Sequence, residues 1–340
     1  MVKDFINIQD FSAEELTNLV NLIGIVKEAR HKRVLPNMLC GASIGLIFEE
    51  SSTRTRISFE AAATLLGGHA QYFRPGDLHL GKSESIYDTA KVMSRMLDAI
   101  CIRGSSYQAM VDLAKYADVP VINMMADDNN HPTQVLCDVF TMFEAAGRIK
   151  GLNVTFVGDS KKGSSANVGR DLALISSIMG INFTFASPKE HSVDDEYLTQ
   201  LRANAAESGA TIRVTDDPIE AVSNADFVYT DEFVWYDNTP EEKKERLATF
   251  LPRYQVNAAL VSHAPKTVRF MHCLPAHRNE EVTDEVMDAP YSIIFDQAEN
   301  RLNTQVAILA AFVAPRIAAT TVGTPADFAD RILSVVSLLK

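Results

Sequence analysis

Two spacings of hydrophobic residues alternate along this chain. After the capping box Ser12-Ala-Glu-Glu15, residues Leu16, Leu19, Ile23 and Val26 recur at helical spacing and predict a first helix. The run Ala42-Ser-Ile-Gly-Leu-Ile-Phe48 predicts a buried strand that enters a polar loop at Glu49–Ser52. A helix is expected from Thr53 to Leu66, stopped by Gly67-Gly68. The pattern then repeats as a strand near 98–102, a helix near 105–117, a strand over Pro120–Asn123 and a helix from Pro132.

A second unit opens at Asn153-Val-Thr-Phe-Val-Gly158. It continues through strand Asn182–Phe185, a helix near 194–208, strand Thr211–Val214, a helix over 217–224 and strand Phe227–Tyr229. Thr239-Pro240 then opens another helix, and Val268–Met271 gives a further strand. This alternation predicts an α/β protein of two doubly wound parallel-sheet domains, with helices from about Glu299 returning to the first domain. The boundary falls near Gly147–Gly151, giving a first domain over 1–148, a second over 149–315 and a tail or helix over 316–340. In such sheets the active site lies beyond the carboxyl ends of the strands.

Length and composition sharpen this picture in a few ways. A chain of 340 residues exceeds what one hydrophobic core usually organises. A net charge of −12 argues against nucleic acid or an anionic membrane as the main partner. It leaves room for a small anionic substrate, which needs only a few well-placed arginines and backbone N–H groups. The four cysteines show no zinc-type spacing, and His, Asp and Glu suggest no metal site, so neither metal nor cofactor is expected. The opening MVKDFINIQDF lacks an apolar signal core, and the apolar stretch over 306–315 is broken by Pro315 and Arg316. A cytoplasmic enzyme with reduced thiols is the simple expectation.

The chemistry concentrates where strands end. Ser51-Ser-Thr-Arg-Thr-Arg56 sits between a strand and a helix, where free N–H groups and the positive end of the dipole form an anion site. Two arginines oppose that dipole unless an anion joins them, and their planar forks suit phosphate. The alternative is an ordinary Ser/Thr-capped helix start. His131-Pro-Thr-Gln134 also opens a helix; its His and Gln suit a polarised carbonyl and an amide, unless His131 is a surface residue. Arg103 follows a strand in the same way.

In His272-Cys-Leu-Pro275 the X-Pro step predicts extended geometry at Leu274, freeing its carbonyl for a ligand amine or amide. Cys273 is read as a ligand contact, with simple burial as the alternative to a nucleophile. Glu299-Asn-Arg301 precedes an apolar helix, and Asp231 ends a strand where it can hold an ammonium group. Gly158-Asp-Ser-Lys-Lys-Gly163 has P-loop glycine spacing, but Ser164 stands where that loop needs Lys. The dinucleotide glycine fingerprint is also missing.

Taken together, Ser52-Thr-Arg-Thr-Arg56, Arg103, His131-Pro-Thr-Gln134, Asp231, His272-Cys-Leu-Pro275 and Glu299-Asn-Arg301 resemble the aspartate/ornithine carbamoyltransferase family. The HCLP form resembles its ornithine and putrescine branch. The resemblance implies transfer of a carbamoyl group from carbamoyl phosphate to ornithine, with putrescine the alternative acceptor, in a trimer whose subunits share sites. By position, Ser52, Thr53, Arg54, Thr55 and Arg103 would hold the phosphate. His131, Gln134, Cys273, Leu274 and Arg301 would surround the carbamoyl group. Asn167 would meet ornithine's carboxylate and Asp231 its ammonium end, with Cys273 and Leu274 also binding ornithine. The implied catalytic set is Arg54, Arg103, His131, Gln134, Cys273 and Arg301, working by positioning and charge without a covalent step.

The chain departs from that family in three places. Glu232–Asn238 replaces an S-M-G loop, and its Trp235-Tyr236 is similar to a putrescine-type feature. His79 stands where a neighbouring subunit would usually supply Gln. The loop after Gly158 and the C-terminal tail are longer than usual, the tail being another putrescine-type trait. A non-catalytic relative is the remaining alternative, and it typically loses the arginines or histidine that are present here.

Overall fold

The structure, a computed structural model, describes residues 4–78, 84–126, 130–162, 167–235 and 238–320. Its first half contains α1 (Ala13–His31), β1 (Ser43–Phe48), α2 (Thr53–Leu65), β2 (His69–Phe73), α3 (Ile86–Met93), β3 (Ala99–Ser105), α4 (Tyr107–Tyr116), β4 (Val121–Ala126) and α5 (Pro132–Ala146). Its second half begins with β5 (Asn153–Val157), α6 (Asn167–Met179), β6 (Asn182–Ala186), α7 (Asp195–Ser208), β7 (Ile212–Thr215), α8 (Pro218–Val222) and β8 (Phe227–Tyr229). After these come α9 (Pro240–Phe250), α10 (Ala258–Val261), β9 (Arg269–Met271), α11 (Asp284–Met287), α12 (Ile294–Phe312) and α13 (Ala314–Thr320).

The strands form two sheets, in the orders β2-β1-β3-β4 and β7-β6-β5-β8-β9. Among the described residues every strand pairing is parallel, in line with the expected α/β class. The central strands are buried on both faces, which is why they read as continuous apolar runs rather than alternating ones. β2 escaped the pattern because His-Ala-Gln-Tyr-Phe is an edge strand left half-exposed. α10 and α11, at four residues each, are too short to show a period.

Each sheet has a switch point where the strand order reverses, and crevices for ligands open there. In the first sheet it lies between β1 and β3, in the second between β5 and β8. The two halves share one hydrophobic core that includes Phe48, Phe140, Phe156 and Ile308. α12 packs against α1, α2 and α5, which is the predicted return to the first domain. With α13 it forms a stretch apolar and long enough to cross a membrane, yet most of that stretch is buried inside the fold.

α12 also corrects an expectation. It starts at Ile294, so Arg301 lies in the middle of a helix instead of before one. No side chain caps Ile293, so the sequence carried no start signal. Arg103 is likewise inside β3, which runs on to Ser105.

Candidate functional site

The first switch point is built by close backbone approach. Gly104 has φ +86°, and a Cβ there would lie 2.8 Å from the Glu50 backbone nitrogen. That freedom lets the end of β3 press on the loop after β1, where the Glu49 N–H donates to the Arg103 carbonyl at 2.9 Å. Arg103 and the Ser51–Thr55 segment thereby reach one crevice. Ser52 caps α2, its hydroxyl accepting the Thr55 N–H at 3.4 Å.

Both switch points face a single cavity of about 380 Å³. Ser52, Thr53, Arg54, Thr55 and Arg103 line one side of it. His131, Gln134 and Arg301 lie along the same cavity, with Asp231, Cys273 and Leu274. The structure thus brings together eleven residues picked from scattered motifs. His79 lies outside the described residues, as do Tyr236 and the tail beyond Thr320. Asn167 opens α6, but its side chain is also outside the description.

Arg56 does not join this group. Its guanidinium stacks over Tyr72 at 3.7 Å and its Nε donates to Glu60 at 3.0 Å. The argument that both arginines need an anion therefore holds for Arg54 alone. Helical spacing turns position 56 away from position 54, onto a face where an i,i+4 carboxylate waits.

The cationic wall is held by a buried network. Arg301 is 3% exposed, yet it donates from Nη1 to Gln134 Oε1 and from Nη2 to Thr55 Oγ1 at 3.2 Å. Its Nε has no hydrogen-bond partner among the described residues, so one donor of a buried charge is left for something else. Burial holds His131 far below its usual pKa, helped by Arg301, Arg103 and Arg54, so its imidazole is neutral. His131 is therefore a buried group, not the surface residue that was the sequence alternative.

Several residues behind the wall escaped sequence reasoning. Asp138, one helical turn past Gln134, accepts from Gln134 Nε2 at 2.8 Å, Gln297 Nε2 at 2.7 Å and the Tyr229 hydroxyl at 3.1 Å. Burial pushes its carboxyl up to about 6. Gln297 in turn accepts the His272 N–H at 3.0 Å, so α5, α12 and β9 are tied to one carboxylate. Asp171 on α6 accepts the backbone N–H of His131, supplying from another helix the bond that the N3 carboxylate of a capping box makes, at a helix start with no side-chain cap. Burial raises Asp171 to about 8. The spacing Gln134, Asp138 marks one face of α5, but Asp171, Tyr229 and Gln297 are joined only by the fold.

The wall contributed by the second half is acidic. Asp231 and Glu232 follow β8 and both line the cavity, beside Trp235. Burial raises Asp231, and burial with the Asp231 and Glu281 charges lifts Glu232 to about 8. The Cys273 thiol donates to Asp231 Oδ1 at 3.2 Å. Burial and that carboxylate hold it well above the usual thiol range, so it is a protonated donor and not a thiolate nucleophile.

Leu274 corrects another expectation. Its φ is +61° rather than extended, and its N–H donates to His272 Nδ1 at 2.9 Å. A tight turn held by that imidazole overrides the ordinary pre-proline preference and keeps a branched residue in a costly region. His272 is fixed from the other side by Glu281, 3.3 Å away. Among the described residues, two clusters have metal-ligand chemistry, Asp231/His272/Cys273 and His277/Glu280/Glu281. In the first, all three side chains are already engaged by one another, Leu274 or Glu281.

Both halves of the chain are similar to known proteins. Residues 3–170 match the carbamoyl-P binding domain of aspartate/ornithine carbamoyltransferase, and residues 150–312 match its Asp/Orn binding domain. The chain is 45% identical to a putrescine carbamoyltransferase of Mycoplasma capricolum, over 93% of this chain and 87% of the relative. It is 45% identical to an ornithine carbamoyltransferase of Bacillus subtilis, over 92% and 94%. Among solved structures, ornithine carbamoyltransferase from Pyrococcus furiosus is similar with a TM-score of 0.85 and 42% identity, covering 92% of this chain and 97% of that one.

Proposed function

The chain belongs to the aspartate/ornithine carbamoyltransferase family and is a carbamoyltransferase, and from that premise we propose that it carries the carbamoyl group of carbamoyl phosphate to the side-chain amine of L-ornithine, giving citrulline and phosphate. The observation that carries this reading is the division of one cavity into a cationic and an acidic wall. Carbamoyl phosphate takes the wall of Arg54, Arg103 and Arg301, with its phosphate at the start of α2. Ser52, Thr53 and Thr55 add hydroxyl and backbone donors. Neutral His131, Gln134 and Arg301 face the carbamoyl group.

The acceptor lies against Asp231, which holds an ammonium group, with the Cys273 thiol and Leu274 carbonyl beside it. Asn167 takes ornithine's carboxylate. The neutral amine attacks the carbamoyl carbon, and the developing oxyanion is met by Arg54, Thr55, His131 and Arg301. The C–O bond to phosphate then breaks, the phosphate leaves onto the arginines, and the proton lost by the amine passes to the departing phosphate. These donors are fixed before the reaction, so they favour the charge where it develops.

One observation favours putrescine as a second reading. Glu232 adds a carboxyl to the acceptor wall, and when ionised it opposes an acceptor carboxylate but suits a second ammonium group. A homotrimer with His79 contributed by a neighbour belongs to the same proposal. Exposed Ile57, Val92 and Met96 in the first half supply apolar surface for such a contact. A cytoplasmic setting also belongs to it, supported by four free thiols.

The test is product formation from carbamoyl phosphate with ornithine, putrescine, agmatine, lysine and aspartate in parallel. Citrulline from ornithine is the expected result. Carbamoylated putrescine alone would give the acceptor wall to the second reading, and no product from any amine would overturn the proposed reaction.

A further inference from the structure

The turn bearing Asp231, Glu232 and Trp235 has to hold its shape between β8 and α9, and two of its anchoring hydrogen bonds reach residues that do not line the cavity. Its start is fixed by Thr230, whose hydroxyl donates to the Val157 carbonyl at 2.7 Å. Further on, the Phe233 carbonyl accepts from Arg246 Nε at 2.5 Å, reaching across from α9. Arg246 Nη2 also donates to Asp159 Oδ2 at 2.6 Å. One guanidinium therefore grips the acceptor turn through Nε and a carboxylate of the loop after β5 through Nη2.

That carboxylate is fully buried and firmly placed. Asp159 is 1% exposed, accepts the Lys161 N–H at 3.0 Å and meets His191 Nδ1 at 3.1 Å. Burial alone would raise its pKa, but the bonds from His191, Lys161 and Arg246 outweigh burial and keep it ionised. Aromatic packing follows the same path. The Phe233 ring stacks on Phe250 at 4.6 Å, and Phe250 meets the His191 ring at 4.9 Å. Asp159, His191, Arg246 and Phe250 are all absent from the cavity lining. A charge pair this elaborate, buried behind a turn whose front carries the acceptor carboxylates, has a reason to exist beyond packing.

We propose that Arg246, braced by the buried carboxylate of Asp159, is a positioning residue that sets the Asp231–Trp235 turn and thereby the affinity for the acceptor amine, without touching either substrate. Because Arg246 ties the turn to the loop after β5, the two strand ends of the second switch point move as one body. The carbamoyl-phosphate wall is built from α2, β3, α5 and α12 and stands apart from this clamp. The inference rests on the reading of the Asp231 side as the acceptor site.

The test compares the full-length protein with Arg246→Ala, Arg246→Lys and Asp159→Asn by steady-state kinetics, varying each substrate in turn. Arg246→Ala is expected to raise the KM of the acceptor about tenfold or more, because small displacements of a positioning element are costly. The KM of carbamoyl phosphate, and the thermal shift that it produces, should stay within about twofold, in keeping with independent sites. Arg246→Lys retains the charge facing Asp159 but cannot make both bonds at once, so it should recover only part of the loss. Should the Ala variant fail to fold, the Lys and Asp159→Asn variants carry the same comparison. An unchanged acceptor KM, or a parallel rise in both KM values, would overturn the inference while leaving the reaction intact. A parent protein that makes no product from any amine would overturn the reading of the site and this inference with it.

Discussion

The two walls of the cavity are built in opposite ways. The cationic wall takes Arg54, Arg103 and Arg301 from a helix start, a strand and a helix interior, and Arg301 is tied to α2 and α5 through Thr55, Gln134 and Asp138. The acidic wall comes largely from one turn, Asp231 to Trp235, with Cys273 and Leu274 reaching it from the end of β9. A wall pinned by several rigid elements suits a substrate shared by the whole family. A wall placed on one turn can change its side chains without disturbing the sheet, which is where variation in acceptor is least costly.

The comparison can be broken most sharply at Arg54. Arg54→Ala should lower kcat by about 10²–10³-fold or more, the scale for losing a preorganised donor, with far-ultraviolet circular dichroism unchanged. Near-normal turnover would mean that the phosphate lies elsewhere. Asp231→Asn should act on the other wall, reducing kcat/KM for the acceptor about tenfold to a hundredfold, as expected for a bond to a charged group. Its KM for carbamoyl phosphate should barely move, and a large rise would dissolve the distinction between the walls.

A subtler probe is pH. Asp171 is raised from an ordinary 3.8 to about 8, so the folded state binds a proton that the unfolded chain has released. Its stabilising contribution is complete below its ordinary value and is lost as pH rises towards about 8. His131, lowered from 6.5, works in the other direction: it costs stability at low pH and stops doing so above 6.5. Between pH 6.5 and about 8 the Asp171 loss is no longer opposed by His131, and stability should fall by up to about 1.4 kcal/mol per pH unit for one such group. Glu232, also raised to about 8, adds to the fall. Denaturant midpoints at the two pH values should separate less in Asp171→Asn than in the parent; equal separation would exclude Asp171 as a source.

The smallest effect is expected at Arg56. It lies two residues from Arg54, but its partners are Tyr72 and Glu60 on the outer face of α2. Arg56→Ala should cost about 0–1 kcal/mol of stability and leave turnover unchanged. A strong loss of activity would return Arg56 to the anion site.

These contrasts also show what was legible in the chain. Strands buried on both faces and the capped helices α1 and α9 could be read because their signals are local, whereas the short α3 was missed despite its Ser85 cap. So could the cavity residues that cluster in short motifs at strand ends, such as Ser52–Thr55 and His131–Gln134. Arg301 was found by its motif but misplaced, because α12 begins without a cap. Leu274 was misread because a side chain two residues back, His272, decides its backbone geometry. Asp159, Asp171, Arg246 and Gln297 were missed for a common reason. Each acts through a partner tens of residues or more away, which neither periodicity nor spacing can reveal.

The most direct test of the divided cavity is the binding of carbamoyl phosphate alone, followed by thermal shift in the parent, Arg54→Ala and Asp231→Asn. The predicted result is a similar, saturable stabilisation of the parent and Asp231→Asn, with none in Arg54→Ala. Loss of that stabilisation in Asp231→Asn, or its survival in Arg54→Ala, would contradict the division.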